Sequence, residues 1–421
     1  MKTYFPRLIE SKIARKLQSS GAILVTGPKF CGKTTTCKLF QKSMIQLIDN
    51  DMIEIVSIDP RNALIGEYPR LIDEWQNVPE LWNYIRKKID DDGEFGEFIL
   101  TGSTTTPDEK KIHHSGSGRI TTIVMRPMSL FESKDSKGVV SLKNLFDQEN
   151  APIFDTNDDY SLSKTAFYIC RGGWPRSIGL EESISLDVTK NYFDGLFNFK
   201  NSENKKYRNK KPIILKMVLK SYARNISTEA PYQTILKDVM DANKRSMDTK
   251  TFDSYIDILE ELFIIEDMEA WTPNLRSKAA IRTTPTRHFV DPSIACMALN
   301  ISPNDLMNDP HTFGLFFEDL AVRDLRIYAE ALNGVVRHYR DSRGLECDAV
   351  IHLDDGRWAA IEIKLGSEKG ILEGIKHLNE LENSLDEKVK KPSFKMILVA
   401  TGRAYRREDG IYVVPINLLK D

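Results

Sequence analysis

Residues 27–34, which read GPKFCGKT, have the spacing G-x-x-x-x-G-K-[ST] of a phosphate-binding loop. Gly27 and Gly32 let backbone N–H groups turn inward around phosphate oxygens, and the start of a helix adds its positive dipole end. Lys33 reaches the β- and γ-phosphates, and the hydroxyl of Thr34 is a ligand for Mg²⁺. The loop lies between a short apolar run and a helical stretch, as this chemistry requires. We therefore predict that ATP and Mg²⁺ bind at this loop. The alternative interpretation is that the motif matches by chance.

An acidic pair lies 40 residues after Lys33, where the apolar run of LIDEWQ ends. Asp73 at a strand end is suited to hold magnesium, directly or through water, and Glu74 to orient and deprotonate the attacking water. An Asp-Glu pair taken alone could equally be a solvated helix start. After a P-loop and at a strand end, it predicts hydrolysis of ATP. The remaining predicted nucleotide contacts are Pro28, Lys29, Cys31 and Thr35.

The next apolar run, EFILTGS at 97–103, also ends in polar residues. Thr101 and Ser103 are candidates for contacting the γ-phosphate or the lytic water, and the alternative is an ordinary strand-end turn. Arg119 follows a glycine- and serine-rich stretch and is a candidate arginine finger, acting within the chain or from a neighbouring subunit. Its alternative is a surface ion pair. Histidines 113 and 114 have no carboxylate or cysteine at ligand spacing, so we interpret them as part of a loop.

A second group of charged residues lies near the end of the sequence, in ECDAVI and AAIEIKL. A turn at DDG joins the strand that contains Asp348 to the strand that contains Glu362. Glu362 and Lys364 share one face of their strand because side chains alternate. With Glu318 from a preceding helix, they form a candidate site for a divalent ion that activates water for phosphodiester attack. The alternative is an ordinary ion-paired sheet face. The following helix offers Lys376 and His377 where many nucleases of this pattern carry a glutamine.

Bulk properties narrow the classes of protein. A chain of 421 residues allows two or three domains, and a net charge of −2 argues against wrapping of a polyanion by the whole chain. The basic run KKYRNKK at 205–211 is a candidate contact for nucleic acid, or else a solvated linker. No apolar stretch is long enough to span a membrane, and five scattered cysteines indicate neither disulfides nor zinc. We expect a cytoplasmic protein.

Periodicity divides the chain into α/β parts around a helical middle. Apolar runs near 22–26, 45–48, 70–72, 97–101 and 120–125 alternate with helical patterns, which predicts a parallel sheet. Two helices followed by a strand-like FIIEDM and a turn at 272–274 are typical of a winged helix-turn-helix. A helix, a strand pair, a DDG hairpin, a helix and a strand follow from about 311. The predicted domains are 1–135, 136–200, 201–300 and 301–421.

Ten segments together resemble a widespread prokaryotic family of AAA-superfamily ATPases, whose C-terminal half is catalogued as a domain of unknown function with a restriction-endonuclease-like end. The resemblance spans nearly the whole chain in the family's order. It implies an ATPase module with Gly32, Lys33, Thr34, Asp73 and Glu74 at its site, a winged-helix linker and a nuclease-like domain. The segments are FPRLIE, GPKFCGKTTT, PRLIDEWQ, FILTGS, SGSGRI, MRPMSLFES, GGWP, LFIIEDMEAW, ECDAVI and IEIK.

Three functions are compatible with this sequence. The first is a Mg²⁺-dependent ATPase that couples its nucleotide state to DNA, RNA or a protein partner, with a homo-oligomer as a candidate assembly. The second is a metal-dependent nuclease gated by the ATPase part. The third is a nucleotide sensor that does not hydrolyse ATP and whose C-terminal part binds a partner.

Overall fold

The computed structural model describes residues 4–102, 116–148, 153, 160–197, 210–273, 283–386 and 389–421. It divides into one unit of residues 1–127 with 259–263, and a second of residues 128–258 with 264–421. Ser103, His113, His114 and most of the basic run 205–211 lie outside the described residues. Within the described residues, no helix has the length and apolar character needed to cross a membrane. All five cysteines are buried and free.

The first unit is built on five parallel strands in the order β2-β3-β4-β1-β5. The strand β4 therefore lies between β1 and β3. The elements, in chain order, are α1 (Ile9–Leu17), β1 (Ala22–Thr26), α2 (Lys33–Cys37), β2 (Ser43–Gln46), α3 (Asn50–Ile58), β3 (Arg70–Asp73), α4 (Leu81–Asp92), β4 (Phe98–Thr101) and β5 (Ile120–Val124).

Both faces of this sheet are covered, which explains why its strands are short and continuously apolar. Ala22 and Leu24 of β1 point into one core with residues of α4, and Ile23 and Val25 point into the other with residues of α1. All five residues of β1 are buried. The sequence prediction of an N-terminal parallel α/β sheet is confirmed.

The second unit begins with a helical part and ends with a mixed sheet. Its first elements are β6 (Val140–Ser141), α5 (Leu142–Asp147), α6 (Leu162–Arg171), α7 (Glu182–Gly195), α8 (Pro212–Arg224), α9 (Tyr232–Asn243) and α10 (Thr249–Glu261), which crosses the division between the units. Antiparallel bridges then join Ile265 to Phe289 and Met268 to Thr286. The predicted helical middle is confirmed. The part predicted as two helices and a hairpin has three helices before the paired extended segments, and the winged-helix interpretation stays a prediction.

The sheet of the second unit has the order β11-β12-β10-β9-β8-β7. The strands β7, β8 and β9 are antiparallel neighbours, and β9, β10 and β12 run parallel. The elements are α11 (Pro292–Leu299), α12 (Pro303–Asn308), α13 (Pro310–Ala331), β7 (Gly334–Arg340), β8 (Glu346–Leu353), β9 (Trp358–Lys364), α14 (Glu368–Ser384), β10 (Lys395–Val399), β11 (Tyr405–Arg406), β12 (Tyr412–Pro415) and β13 (Leu419–Lys420), which pairs with β6.

A buried arginine joins distant segments of this unit. The guanidinium of Arg323 donates to Asp291 at 2.9 Å and to Asp324 at 2.7 Å, and all three side chains are inaccessible to solvent. The same carboxylates accept from the backbone N–H of Gly173 at 2.8 Å and of Leu130 at 2.9 Å. Two of the segments that resemble the ATPase family, MRPMSLFES and GGWP, are therefore held together by this arginine.

Candidate functional site

The loop at 27–34 has the backbone conformation that its glycines predict. Gly27 and Gly32 have φ angles of 145° and 105°, which only glycine adopts without strain. A Cβ atom on Gly27 would lie 2.1 Å from the carbonyl oxygen of Met125, so the loop packs directly against the chain that follows β5. Phe30 also has a positive φ, of 65°, and its side chain is exposed. The helix α2 has only five residues. Most of the attraction for an anion must therefore come from the loop N–H groups and Lys33.

Lys33 is buried beside its own loop. Its Nζ atom donates to the carbonyl oxygens of Gly27 and Pro28, at 2.8 Å each. An ammonium group has three N–H donors, so two hold the side chain in place and the third is left for a phosphate oxygen. Its positive charge and the glycine conformations fit a triphosphate.

Asp73 connects the ends of four elements. Its Oδ1 atom accepts from the hydroxyls of Thr34 at 2.8 Å and Thr101 at 2.5 Å, and Oδ2 accepts from the amide of Gln46 at 3.1 Å. Thr101 reaches Asp73 because β4 lies between β1 and β3, which places Asp73 opposite Thr101 in the register. A carboxylate and a hydroxyl side by side are the donor set that suits Mg²⁺. These two oxygens fit the predicted metal-binding roles of Thr34 and Asp73.

Glu74 follows directly and has φ of 55°, a left-handed conformation that is uncommon for a residue with a side chain. Such conformations often occur at functional sites, where surrounding structure supports them. Its Oε2 atom accepts from the amide of Gln76 at 2.5 Å. Neither Gln76 nor Gln46 was singled out from the sequence. Gln76 could have been found as a polar residue just beyond the acidic pair, whereas Gln46 lies inside the apolar run predicted at 45–48.

The structure places the other predicted residues as follows. Cys31 is buried, with its thiol donating to the carbonyl of Met125 at 3.3 Å, and Lys29 and Thr35 are exposed. Arg119 does not lie at the loop. It precedes β5 at the amino end of the sheet, where its carbonyl accepts from Ala22 and its side chain pairs with Asp90 at 2.7 Å. The prediction that Arg119 is a finger for the loop of its own chain is therefore wrong, because parallel strands put the loop at the opposite edge.

The second unit brings the C-terminal residues together. The amine of Lys364 lies 3.0 Å from Asp348 Oδ2 and 2.7 Å from Glu362 Oε2, and Asp348 also accepts from the backbone N–H of Ile363 at 2.7 Å. His377 on α14 lies 3.5 Å from Glu362. Glu362 and Lys364 share a face, as predicted. Burial chiefly, and then the charge of Asp348, raise the pKa of both Glu362 and Glu318.

This group of side chains is not a preformed metal cage. Among the described residues, no three His, Cys, Asp or Glu side chains are placed to hold one ion. At this site, the amine of Lys364 lies between the two carboxylates. Oε1 of Glu362 is nevertheless buried with no hydrogen-bond partner in the described part of the chain. An adjoining cleft of about 740 Å³ is lined by Arg343, Leu345, Asp348, Lys364, His377 and Glu380, among others.

Three family models match this chain. Residues 19–134 match the family described as an AAA domain. Residues 19–134 form an AAA-type P-loop ATPase domain. Residues 163–305 match a domain of unknown function (DUF8612), and residues 313–419 match another (DUF4143). The resemblance to an AAA-type ATPase family with a C-terminal domain of unknown function is thereby confirmed.

Solved structures and curated proteins add little to this. No curated protein matches the chain. The Walker-type ATPase paby2304 of Pyrococcus abyssi is similar at 14% identity, a TM-score of 0.43, and 70% of this chain and 96% of that one covered. Drosophila ORC bound to DNA has 12% identity, a TM-score of 0.21 and coverages of 66% and 88%. The STAND protein PH0952 from Pyrococcus horikoshii, which has a tetratricopeptide repeat sensor, is 12% identical with a TM-score of 0.21. The match covers 92% of this chain and 59% of that one. At these TM-scores the likenesses say nothing about chemistry.

Proposed function

We propose that this chain binds ATP with Mg²⁺ at the AAA-type P-loop and hydrolyses it. The observation that carries the proposal is the hydrogen bonding of Asp73 to both Thr34 and Thr101, with Glu74 one residue further on. Bound Mg²⁺ would neutralise phosphate charge and orient the terminal phosphate for attack. Thr34 and Asp73 would hold the ion.

Each remaining residue has a distinct task. The N–H groups of the loop from Gly27 to Gly32 bind phosphate oxygens, and Lys33, held by two carbonyls, adds a fixed positive charge. Glu74 accepts the proton of the attacking water, and its bond to Gln76 keeps the carboxylate from turning away. Thr101 holds Asp73 in position between the strands.

Two substitutions test the roles of the loop and the base. Lys33→Ala should abolish ATP binding, measured by titration with a fluorescent ATP analogue. Glu74→Gln should bind ATP with unchanged affinity and release no phosphate. Glu67→Gln, which changes an exposed carboxylate of the same unit in the same way, is the control and should behave as wild type. Turnover by Glu74→Gln at the wild-type rate would show that Glu74 is not the base. A wild-type protein that binds ATP stably without turnover would instead favour a nucleotide sensor.

A second candidate function is metal-dependent cleavage of phosphodiesters by the C-terminal unit, within a restriction-endonuclease-like domain. It is favoured by the buried, unpartnered Oε1 of Glu362 beside Asp348 and Lys364, at the edge of a cleft. A divalent ion there would polarise the phosphate and activate water. The ion would have to displace the Lys364 amine from at least one carboxylate.

The test is cleavage of duplex DNA, single-stranded DNA and RNA with Mg²⁺ and with Mn²⁺. Asp348→Ala should remove any activity, whereas Asp354→Ala in the exposed turn should not. Absence of cleavage of every substrate with either metal removes this candidate.

A nucleic-acid partner is supported by α8, the helix that precedes the two helices of the predicted winged helix. Lys216, Lys220 and Arg224 recur every four residues along α8, so they share one face, and the helix has no acidic residue. Lys216 and Lys220 are exposed and, among the described residues, neither lies within ion-pair distance of a carboxylate. By contrast, the exposed residues in the second half of α10 are acidic, at Asp257 and Glu260. We therefore assign phosphate contacts to α8 rather than to α10.

Charge reversal on α8 tests this partner. Lys216→Glu with Lys220→Glu should weaken binding of labelled duplex DNA and lower the slope of log affinity against log salt by about 2, one unit per lost phosphate contact. Lys164→Glu with Lys190→Glu makes the same change of charge at other exposed positions and is the control. Equal binding by the α8 variant and the control would remove this assignment.

A further inference from the structure

A segment before the first strand contacts the phosphate-binding loop. Its central residue is Arg7, whose side chain is buried. One nitrogen of the guanidinium donates to the carbonyl of Cys31 at 2.8 Å. The second terminal nitrogen of the guanidinium donates to the carbonyls of Arg126 at 2.8 Å and Pro127 at 3.3 Å. Through these three backbone carbonyls, the guanidinium of Arg7 joins the loop to the chain that follows β5.

The contact with Cys31 fixes the orientation of one loop peptide. The peptide bond between Cys31 and Gly32 is trans, so its C=O and N–H point in opposite directions. Holding the carbonyl toward Arg7 therefore directs the N–H of Gly32 away from Arg7. Gly32 is the residue before Lys33, and its N–H is one of the donors on which phosphate binding by such a loop depends.

The same segment also holds the helix after the loop. Glu10 accepts from the backbone N–H of Arg7 at 2.6 Å and from the hydroxyl of Tyr4 at 2.7 Å. The Tyr4 hydroxyl lies 3.2 Å from the hydroxyl of Thr36 on α2. Burial raises the pKa of Tyr4 to about 12, so the hydroxyl remains a donor across the pH range of an ordinary assay. Residues 4–10 thus form an N-terminal strap that contacts both the loop and α2.

We propose that Arg7 is a positioning residue for phosphate binding, which it serves by presenting the N–H of Gly32 to the phosphates. The proposal rests on the proposed ATP site and adds to it a residue outside the loop motif. Lysine cannot replace this arginine, because a single ammonium cannot span carbonyls on two segments as a planar guanidinium does. Arg7→Lys therefore keeps the charge and removes the bridge.

The experiment compares Arg7→Lys with wild type in titrations of a fluorescent ATP analogue and in steady-state hydrolysis. Loss of a charge-assisted hydrogen bond is expected to lower the affinity for the ATP analogue about tenfold or more. The affinity for pyrophosphate, measured by its displacement of the analogue, should fall by a similar factor. KM for ATP should rise by a similar factor with kcat within about twofold, as expected when a uniform binding contribution is lost. Arg15→Lys, on the exposed side of α1, is the control and should match wild type.

A second variant covers the case in which Arg7→Lys is poorly folded by circular dichroism. Glu10→Gln loosens the N-terminal strap without touching the guanidinium, and it should raise KM several-fold with kcat unchanged. Unchanged KM in the folded variants, or a fall in kcat with KM unchanged, would overturn the positioning role. A wild-type protein that does not bind the ATP analogue would contradict the proposed function itself, and the two failures are therefore distinguishable.

Discussion

Replacing Thr101 by valine tests whether the Asp73 network holds the ends of the strands together. Thr101 is buried on β4, and its hydroxyl donates to a carboxylate that is itself 2% exposed. Valine has nearly the same shape and lacks the donor. The remaining donors to Asp73 in the described structure, from Thr34 and Gln46, are on neighbouring elements and would have to satisfy the charge alone.

The expected cost follows from the chemistry of this bond. A hydrogen bond to a charged group contributes about 1.5–3 kcal/mol, and a buried acceptor that loses a donor keeps its desolvation penalty. A loss of about 2 kcal/mol changes an opening equilibrium roughly 30-fold. Because Asp73 and Thr101 are paired in the register between β3 and β4, the loss should be concentrated in those two strands.

Hydrogen–deuterium exchange of the protein without nucleotide measures the opening of β3 and β4 peptide by peptide. Unfolding of the second unit therefore does not interfere with the measurement. Exchange in peptides covering β3 and β4 should be about 10- to 100-fold faster in Thr101→Val, consistent with the bond strength above. Thr101→Ser, which keeps the hydroxyl, should show a much smaller change. Thr26→Val is a matched control, since the Thr26 hydroxyl is equally buried on β1 but has no hydrogen-bond partner among the described residues. Equal exchange rates in Thr101→Val and Thr26→Val would refute the reasoning.

Three further predictions concern other positions. Arg119→Ala should leave ATP turnover within about twofold in dilute protein, because its partner is Asp90 at the far edge of the sheet; a loss of turnover that grows with protein concentration would point to a finger acting between subunits. Burial above all lowers the pKa of His338 to about 4, with Glu229 3.6 Å away, so the unfolded chain binds the extra proton first as pH falls below 6.5. His338 should therefore contribute a loss of about 2 kcal/mol between pH 7.5 and 5, measured as the difference between wild type and His338→Gln in urea unfolding at both pH values. Gly27→Ala should fold but bind the ATP analogue at least tenfold more weakly, since no L side chain fits its φ of 145°; wild-type affinity would contradict that.

Much of the first unit could be predicted from the sequence because its signals are local. The loop motif, the acidic pair and the apolar runs each depend on residues close in the chain, and the strands lie within a few residues of where the pattern puts them. The order of the strands is not a local property. Nothing in the sequence says that β4 lies between β1 and β3, and that order determines the partner of Asp73.

The residues whose positions could not be predicted also depend on contacts between segments that are distant in sequence. Arg119 was a candidate finger because it follows a stretch rich in glycine and serine, with a surface ion pair as the alternative. Strand direction, which decides the end of the sheet that such a residue reaches, places it in an ion pair with Asp90. Arg7 was not singled out because the groups through which it holds the loop are backbone carbonyls, which every residue carries. At the C-terminal site, alternation correctly placed Glu362 and Lys364 on one face. The position of the lysine amine between two carboxylates needed the three-dimensional register.

The buried arginine of the second unit affects how inactive variants should be interpreted. Arg323 and its two carboxylates hold segments that are more than 150 residues apart in sequence, between Leu130 and Asp324. Removing one member of such a buried ionic group leaves an unbalanced charge, at a cost of about 3–5 kcal/mol. In a random-mutagenesis screen, substitutions at Asp291 or Arg323 will therefore be scored as null alleles as severe as those at Lys33. Only the soluble yield of each variant will separate misfolding from lost chemistry.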